Sequence, residues 1–592
     1  MACDHRSQKG RRFAYGYFAA IVCIATVILF STFIAWASWA GEMESPDLRM
    51  RCGTFALPRE PLLPGKDVAS LTETRLSKPA EDFEVGDTLT LWAYDFSGSW
   101  YQVEVTCRRI GGVSYVFVED SQWGTRVTEE DLQVLLDAFE HSTPAYPDKG
   151  IYDLDVEMFG APSDIDHNGA ILIVVLDIQD GGSGAYAGYV NRDELRETSY
   201  GHSNLREIVY IDCDPLDIKS RLAQETLAHE FQHLIHIAYD AFEEPWLDEG
   251  CSTYAEQVCG YGGELGARFL PQPDNGLTRW TGTLADYDKV GLFVTYLSEH
   301  YGGARFIRSL VSVKGKRDGS TVPIPLQGIT SVDTALAQSG STARFEEVFA
   351  DWTVANYLDA VATLPGKYGY AQHDLSRIRV KAVSELPFSG WNEQVDLWAA
   401  DYLEFTGGEG LEIFFNGDRR SIFRLQAVQT SWDPISVEDL PLDEGHWGHF
   451  IVSPGDTIAL IVSRTAGDYG GYSIEVENGP ALVAEGASFR YVPAGPLLGQ
   501  SFPNPFNTLV HIPLYLSFDK NGSEKASLQV FDERGRLVRR LGHFVEGSVG
   551  SGARVVTWDG RDDLGREVAS GVYVVRLKVG SMVESRRAVL LR

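Results

Sequence analysis

The chain has 592 residues, more than a single hydrophobic core usually serves, so three or four domains are expected, and a hydrophobic fraction of 44% is ample to fill their cores. A formal net charge of −32 at pH 7 repels a polyanion. That excludes a nucleic-acid-binding role and suits a soluble, exported protein.

The amino terminus carries Arg6, Lys9, Arg11 and Arg12, then an uncharged run from Phe13 to Ala40 that ends in Ala35-Trp36-Ala37 and Ser38-Trp39-Ala40. The basic start and small closing residues predict a signal peptide over 1–40. The run is long enough for an uncleaved signal anchor as the alternative, and in both cases the membrane is met only through this leader or by later surface attachment. Cys3 and Cys23 lie in the leader. Cys52, Cys107, Cys213, Cys251 and Cys259 remain, an odd set in which at least one thiol is free or pairs between chains.

Residues 41–80 contain five prolines and little apolar periodicity, as an extended entry segment or short propiece would. From Glu84 to Asp120 short β runs follow, predicting a small β unit. With the segment before it, this unit makes up an amino-terminal region over 41–145. Thr128 reads as the cap of a helix that opens on Glu129, Glu130 and Asp131 and buries Leu132, Leu135, Leu136 and Phe139. Asp164, Asp166, Asn168 and Gly169 imitate the opening of a calcium loop, but an EF-hand needs glutamate where Val175 stands, leaving Ca2+ as a minor expectation. Ile171 to Leu176 and Ile208 to Ile211 read as buried strands before the most informative stretch of the chain.

That stretch is His229-Glu230-Phe231-Gln232-His233, within a breaker-free run from Ser220 to Ala241. Helical periodicity puts His229 and His233 on one face, where both imidazoles can hold one zinc ion, and sets Glu230 as a general base toward water in the open coordination position. A third protein ligand is required, and Glu249, opening a helix over Glu249 to Val258 beyond Pro245, is the nearest well-placed candidate. Asp240, Glu243 and Glu244 in the connecting loop are the alternatives. Glu256, seven residues on from Glu249, shares its face and can accept a hydrogen bond from a ligating imidazole, or be a solvated charge. His236 belongs to the surroundings of the site or to the core, because the metzincin pattern would need histidine where Tyr239 stands.

With Trp246-Leu247-Asp248-Glu249-Gly250 and Tyr254-Ala255-Glu256, the HExxH stretch resembles the gluzincin metallopeptidases, which implies Glu249 as third zinc ligand. Asp286-Tyr287-Asp288-Lys289-Val290-Gly291 is similar to the Tyr-Glu-Lys-Gly segment of the aminopeptidase N group, implying that Tyr287 donates to the oxyanion of the tetrahedral intermediate. Read from its position alone, Tyr287 could equally be a buried aromatic at a helix entry. The Gly-x-Met-Glu-Asn motif by which that group recognises a substrate amino terminus has no counterpart in the chain. Gly160-Ala161-Pro162, Asp164 to Gly169 and Ser203 to Asp212 resemble the hyicolysin-type and immune inhibitor A-like secreted bacterial peptidases, over roughly residues 145 to 360.

Four further helical patterns, Val290 to His300, Ala304 to Val311, Ser331 to Gln338 and Phe345 to Leu358, suggest a helical lower subdomain closing a catalytic domain over 146–390. Short alternating strands then predict a β-sandwich over 391–492. After the linker Val492 to Pro496 the balance changes: residues 496–592 carry fourteen Lys/Arg against ten Asp/Glu, supporting a boundary before a last domain over 497–592. Phe502 to Asn507, Val530 to Val538, Trp558 to Arg566 and Ser570 to Tyr573 resemble the carboxy-terminal sorting domain of type IX secretion cargo and the Ig-like domain of flagellar hook-capping proteins. The sorting resemblance implies a Gram-negative-type envelope and contact with secretion machinery.

The reading is a multidomain α+β protein, a gluzincin-type catalytic domain followed by two all-β sandwich or Ig-like domains, acting as a secreted zinc-dependent endopeptidase on proteins or peptides. The rival is a surface adhesin or binding module that keeps a peptidase-like fold without turnover.

Overall fold

The computed structural model describes residues 51–58 and 82–592, other than 182–184, 196–201, 317–322, 360–366, 407–409, 431–434, 444, 454, 480–488, 492–496, 500, 502, 517–524, 546–551 and 581. The leader over 1–40, most of the proline-containing segment and the linker at 492–496 lie outside the described residues. Among the described residues no helix is long and apolar enough to cross a membrane, and Cys52, Cys107, Cys213, Cys251 and Cys259 are all free thiols.

The first layer is a seven-stranded mixed sheet. Its strands are β1 (Arg51–Cys52), β2 (Thr88–Tyr94), β3 (Trp100–Ile110), β4 (Ser114–Glu119), β5 (Ile171–Leu176), β6 (Tyr186–Tyr189) and β7 (Ile208–Asp212), in the spatial order β1-β6-β7-β5-β4-β3-β2. At the centre β4, β5 and β7 run parallel, and every residue of β5 and β7 is buried, as expected of strands covered on both faces. The β runs expected over Glu84 to Asp120 form three strands that extend this same sheet through the β4–β5 pairing, Val116 beside Ile173.

Side-chain alternation divides the sheet between two cores. Val116, Val118, Ile173, Val175, Val209 and Ile211 face the helices α1 (Glu129–Glu140), α2 (Ile151–Phe159) and α3 (Arg221–Tyr239). Phe117, Leu172, Val174 and Tyr210 face the other way, onto Leu57, Phe83, Leu91 and Val105. Beyond α3 come α4 (Pro245–Val258), α5 (Leu284–Tyr301), α6 (Ala304–Ser312), α7 (Gly328–Ser339) and α8 (Phe345–Leu358). Two close approaches set the helices around the site. A Cβ at Gly188 on β6 would stand 2.7 Å from the Tyr210 carbonyl oxygen and 3.1 Å from Glu230 Cγ, so only glycine lets the strand lie on α3. A Cβ at Gly250 would stand 2.9 Å from Val294 Cγ2, so the glycine after Glu249 permits the tight packing of α4 on α5.

Two all-β regions follow. Two five-stranded sheets, including Ala399–Thr406 and Thr457–Gly467 in one and Leu411–Gly417 and Gly471–Asn478 in the other, enclose a core of Leu403, Phe415, Leu425, Leu460 and Ile474. This sandwich is docked on the helical region: Trp398 packs edge-on against Phe345 and Phe349 at 4.7 and 5.3 Å, and the Tyr402 hydroxyl donates to the Thr353 carbonyl at 2.9 Å. The last region pairs a three-stranded with a four-stranded sheet around Ile512, Leu514, Leu528, Trp558 and Val575.

Candidate metal centre

Ser220 caps α3, its hydroxyl accepting from the Ala223 amide at 3.2 Å. Leu227, Phe231, Leu234 and Ile235 seat the helix in the core, with Phe231 stacked on Tyr152 and edge-on to Phe139. Its other face carries His229, Glu230 and His233, all buried. The next helix starts earlier than its pattern suggested: Pro245 takes the first helical position, where its missing amide costs nothing, so Glu249 sits in the second turn.

These two helices bring the donors together. His229 Nε2 and His233 Nε2 are 3.2 Å apart, and Glu249 Oε2 lies 3.1 Å from the first and 3.6 Å from the second. Cys52 Sγ, from the edge strand β1, lies 3.4 Å from His233 Nε2. All four donor atoms fall within 4.8 Å of one another. The outer nitrogens are held in place: His229 Nδ1 donates to Glu256 Oε1 at 2.7 Å and His233 Nδ1 to Asp248 Oδ1 at 3.0 Å, leaving both Nε2 atoms turned toward a common point. Glu249 Oε1 is buried and has no hydrogen-bond partner among the described residues. Two imidazoles, a carboxylate and a thiol form a donor set that suits zinc and not an all-oxygen calcium or magnesium site.

Charge is balanced tightly here. Burial, the largest single influence, would depress His233, but Asp248 and Cys52 together outweigh it and hold the imidazole well above its ordinary range. Burial would likewise raise Asp248, yet His233 and His236 bring it well below the usual carboxylate range, and Arg192 Nη2 donates to its other oxygen at 2.9 Å. Burial pushes Glu230 up, whereas the two histidines outweigh burial at Glu249 and bring it down. The Thr54 hydroxyl donates to Glu230 Oε2 at 2.9 Å.

Each residue singled out in the sequence has a definite place. His236 stands 3.0 Å from Asp248 Oδ1, one helical turn beyond His233 and outside the donor cluster. The loop alternatives to Glu249 are engaged elsewhere: Asp240 accepts from the Phe242 amide, Glu243 from the Gly328 amide and Ser331 hydroxyl, and Glu244 from the Trp246 indole. Tyr287 lines the cleft beside His229, ring centroids 6.0 Å apart, and its ring rests edge-on against Trp280. Thr283 and Asp286 form a capping box at the start of α5, and Asp286 pairs with the buried Lys289 at 2.7 Å, fixing the turn that presents Tyr287. Burial and then the negative charges of Glu249, Cys52 and Glu230 hold the phenol well above its usual range, so it remains an O–H donor.

Sequence reasoning missed Cys52, Thr54 and Asp248. Asp248 had a usable signal, since it adjoins Glu249 and a ligating His233 needs an acceptor for its second nitrogen. Cys52 had none, lying 181 residues from His233 in a segment without periodicity. The calcium-like stretch forms a second group: Asp164, Asp166 and Glu207 come together, but Arg206 Nη1 donates to Asp166 Oδ2 at 3.0 Å and already supplies a positive charge.

Part of the chain is similar to a known metalloprotease. The neutral metalloprotease ShpI of Staphylococcus hyicus is 33% identical over 127 residues, 19% of this chain and 28% of that protein. The match thus spans little more than a quarter of the relative's length. No family model matches the chain. Among solved structures, dimeric latent PorU from Porphyromonas gingivalis aligns with 31% of this chain and 19% of its own at 14% identity, with a TM-score of 0.15. The adhesin domain of Epf from Streptococcus pyogenes aligns with 32% of this chain and 70% of its own at 9% identity, with a TM-score of 0.12. At those scores neither bears on the fold.

Proposed function

We propose that the protein is a zinc-dependent endopeptidase of gluzincin type acting on extracellular proteins or peptides. The observation that carries this reading is the convergence of Glu249 Oε2 with the Nε2 atoms of His229 and His233 beside the buried carboxylate of Glu230. The partial similarity to a neutral metalloprotease supports it. His229, His233 and Glu249 would hold the ion, which when bound polarises a carbonyl and lowers the pKa of water. Glu230 accepts the proton from the attacking water and returns it to the leaving amine. Asp248 and Glu256 hold the two imidazoles in the ligating tautomer, and Tyr287 donates its O–H to the oxyanion.

The leader and the carboxy-terminal sandwich support export, with the protein released or held at the cell surface and the last domain meeting the secretion machinery. Glu230→Gln tests the chemistry, because it keeps the volume and removes the base. Zinc content is expected to stay at the native level while cleavage of an unfolded protein substrate falls by about 10²–10⁴-fold. Native-rate cleavage by the purified variant would refute the mechanism, and retained zinc with no cleavage by any form of the chain would favour the adhesin.

A further inference from the structure

We propose that Cys52 is a fourth ligand to the zinc site and that the segment Arg51–Pro58 is a built-in plug that keeps the site latent. This inference rests on the zinc reading above.

Three contacts of one short segment converge on the site. Cys52 Sγ stands 3.4 Å from His233 Nε2 and completes a group of four donors within 4.8 Å. Two residues on, the Thr54 hydroxyl accepts from the Val190 amide at 2.8 Å and donates to Glu230 Oε2 at 2.9 Å, so one oxygen of the carboxylate assigned as base is held by the same segment. Phe55 then lies edge-on to the His233 ring at 5.9 Å, and the Arg192 guanidinium, already paired with Asp248, stacks on it at 3.7 Å. Leu57 is buried in the sheet core, which anchors the end of the segment.

The backbone says the same. β1 pairs parallel with β6, Cys52 beside Gly188, and the Gly53 amide donates to the Gly188 carbonyl at 2.9 Å. β6 is the strand that Gly188 brings down onto Glu230, and β1 covers its outer edge. An extended peptide offered to Glu230 would use that edge through main-chain hydrogen bonds. Arg51 and Cys52 hold it already.

Ligand count gives the functional consequence. A catalytic zinc site keeps one position open for water, whereas four protein donors make a closed, structural-type site. With Cys52 in the fourth position the chain binds zinc but has no place for the attacking water. Opening exchanges sulfur for water: the thiolate leaves, takes a proton from solvent, and no oxidation state changes. Cleavage of the chain after residue 58, or capping of the thiol, would drive the exchange.

The test uses the full chain loaded with zinc or with cobalt(II). X-ray absorption at the zinc edge is expected to show one sulfur neighbour, and the cobalt form a thiolate-to-metal charge-transfer band. Both signatures should vanish in Cys52→Ser and Cys52→Ala, which excludes the other six cysteines as their source, while one metal per chain is kept. Peptidase activity of either variant, or of native protein cut after residue 58, should exceed that of the intact chain by at least about tenfold. Zinc bound through nitrogen and oxygen only in the native chain would overturn the inference and leave the peptidase reading standing. A Cys52-dependent sulfur signature with no hydrolysis by any form would establish the ligand and refute the peptidase.

Discussion

Among the described residues two groups of side chains have the spacing to hold a cation, and they differ in what surrounds them. In the Cys52, His229, His233 and Glu249 group the donors are buried, the outer imidazole nitrogens are fixed by Asp248 and Glu256, and one Glu249 oxygen has no partner among the described residues. In the Asp164, Asp166 and Glu207 group the central carboxylate is already matched by the buried Arg206 guanidinium, and Asn168 donates to it as well at 2.9 Å. The first group has the donors to receive a cation, while the second carries its own positive charge. Each group keeps one buried carboxylate oxygen without a partner among the described residues, Glu249 Oε1 and Glu207 Oε2, so what separates them is donor chemistry and charge: imidazole and thiol donors in the first, an arginine counter-charge in the second.

The difference is open to experiment, beginning where it should be greatest. In the Cys52→Ala background, Glu249→Ala leaves only the two histidine donors and is expected to abolish hydrolysis and release most of the zinc, read by metal analysis after dialysis; full zinc retention would mean that another group, such as a loop carboxylate, is the true third ligand. Asp248→Asn and Glu256→Gln loosen the imidazoles, so metal affinity or activity should fall by about 10–100-fold in both; Glu256→Gln should leave the fold intact, whereas Asp248→Asn should also lower stability because the buried Arg192 loses its counter-charge. An unchanged zinc affinity in both would show that the outer hydrogen bonds are incidental. Asp166→Asn at the second group should leave hydrolysis per folded molecule unaltered but lower unfolding stability by about 3–5 kcal/mol, because a buried arginine loses its counter-charge. The smallest effect belongs to calcium: adding it in millimolar excess should not move the melting temperature, and an increase would identify the Asp164 group as a second cation site.

How much of this was legible beforehand follows from where each contact lies along the chain. His229, Glu230 and His233 are four residues apart at most, and helical periodicity alone puts them on one face. Glu249 and Glu256 lie on the next helix, near enough that the Pro245 break and the spacing of seven sufficed to name them. The joining of Thr88–Glu119 to the central sheet was not visible, since it depends on Val116 meeting Ile173 across 57 residues, and strand pairing of that kind leaves no local pattern. Cys52 is the extreme case: its segment is too short to show a period, and only the folded sheet edge brings it to His233. The glycine of Trp246-Leu247-Asp248-Glu249-Gly250 gained a physical meaning only from the structure, as the point where Val294 leaves no room for a side chain.

The most direct test is anomalous diffraction from crystals of the full chain grown with zinc, recorded on either side of the zinc absorption edge. One strong peak is expected between His229 Nε2, His233 Nε2, Glu249 Oε2 and Cys52 Sγ, with none beside Asp164, Asp166 and Glu207. An empty map among the four donors, or a peak at the aspartate group in its place, would contradict the assignment of the metal centre.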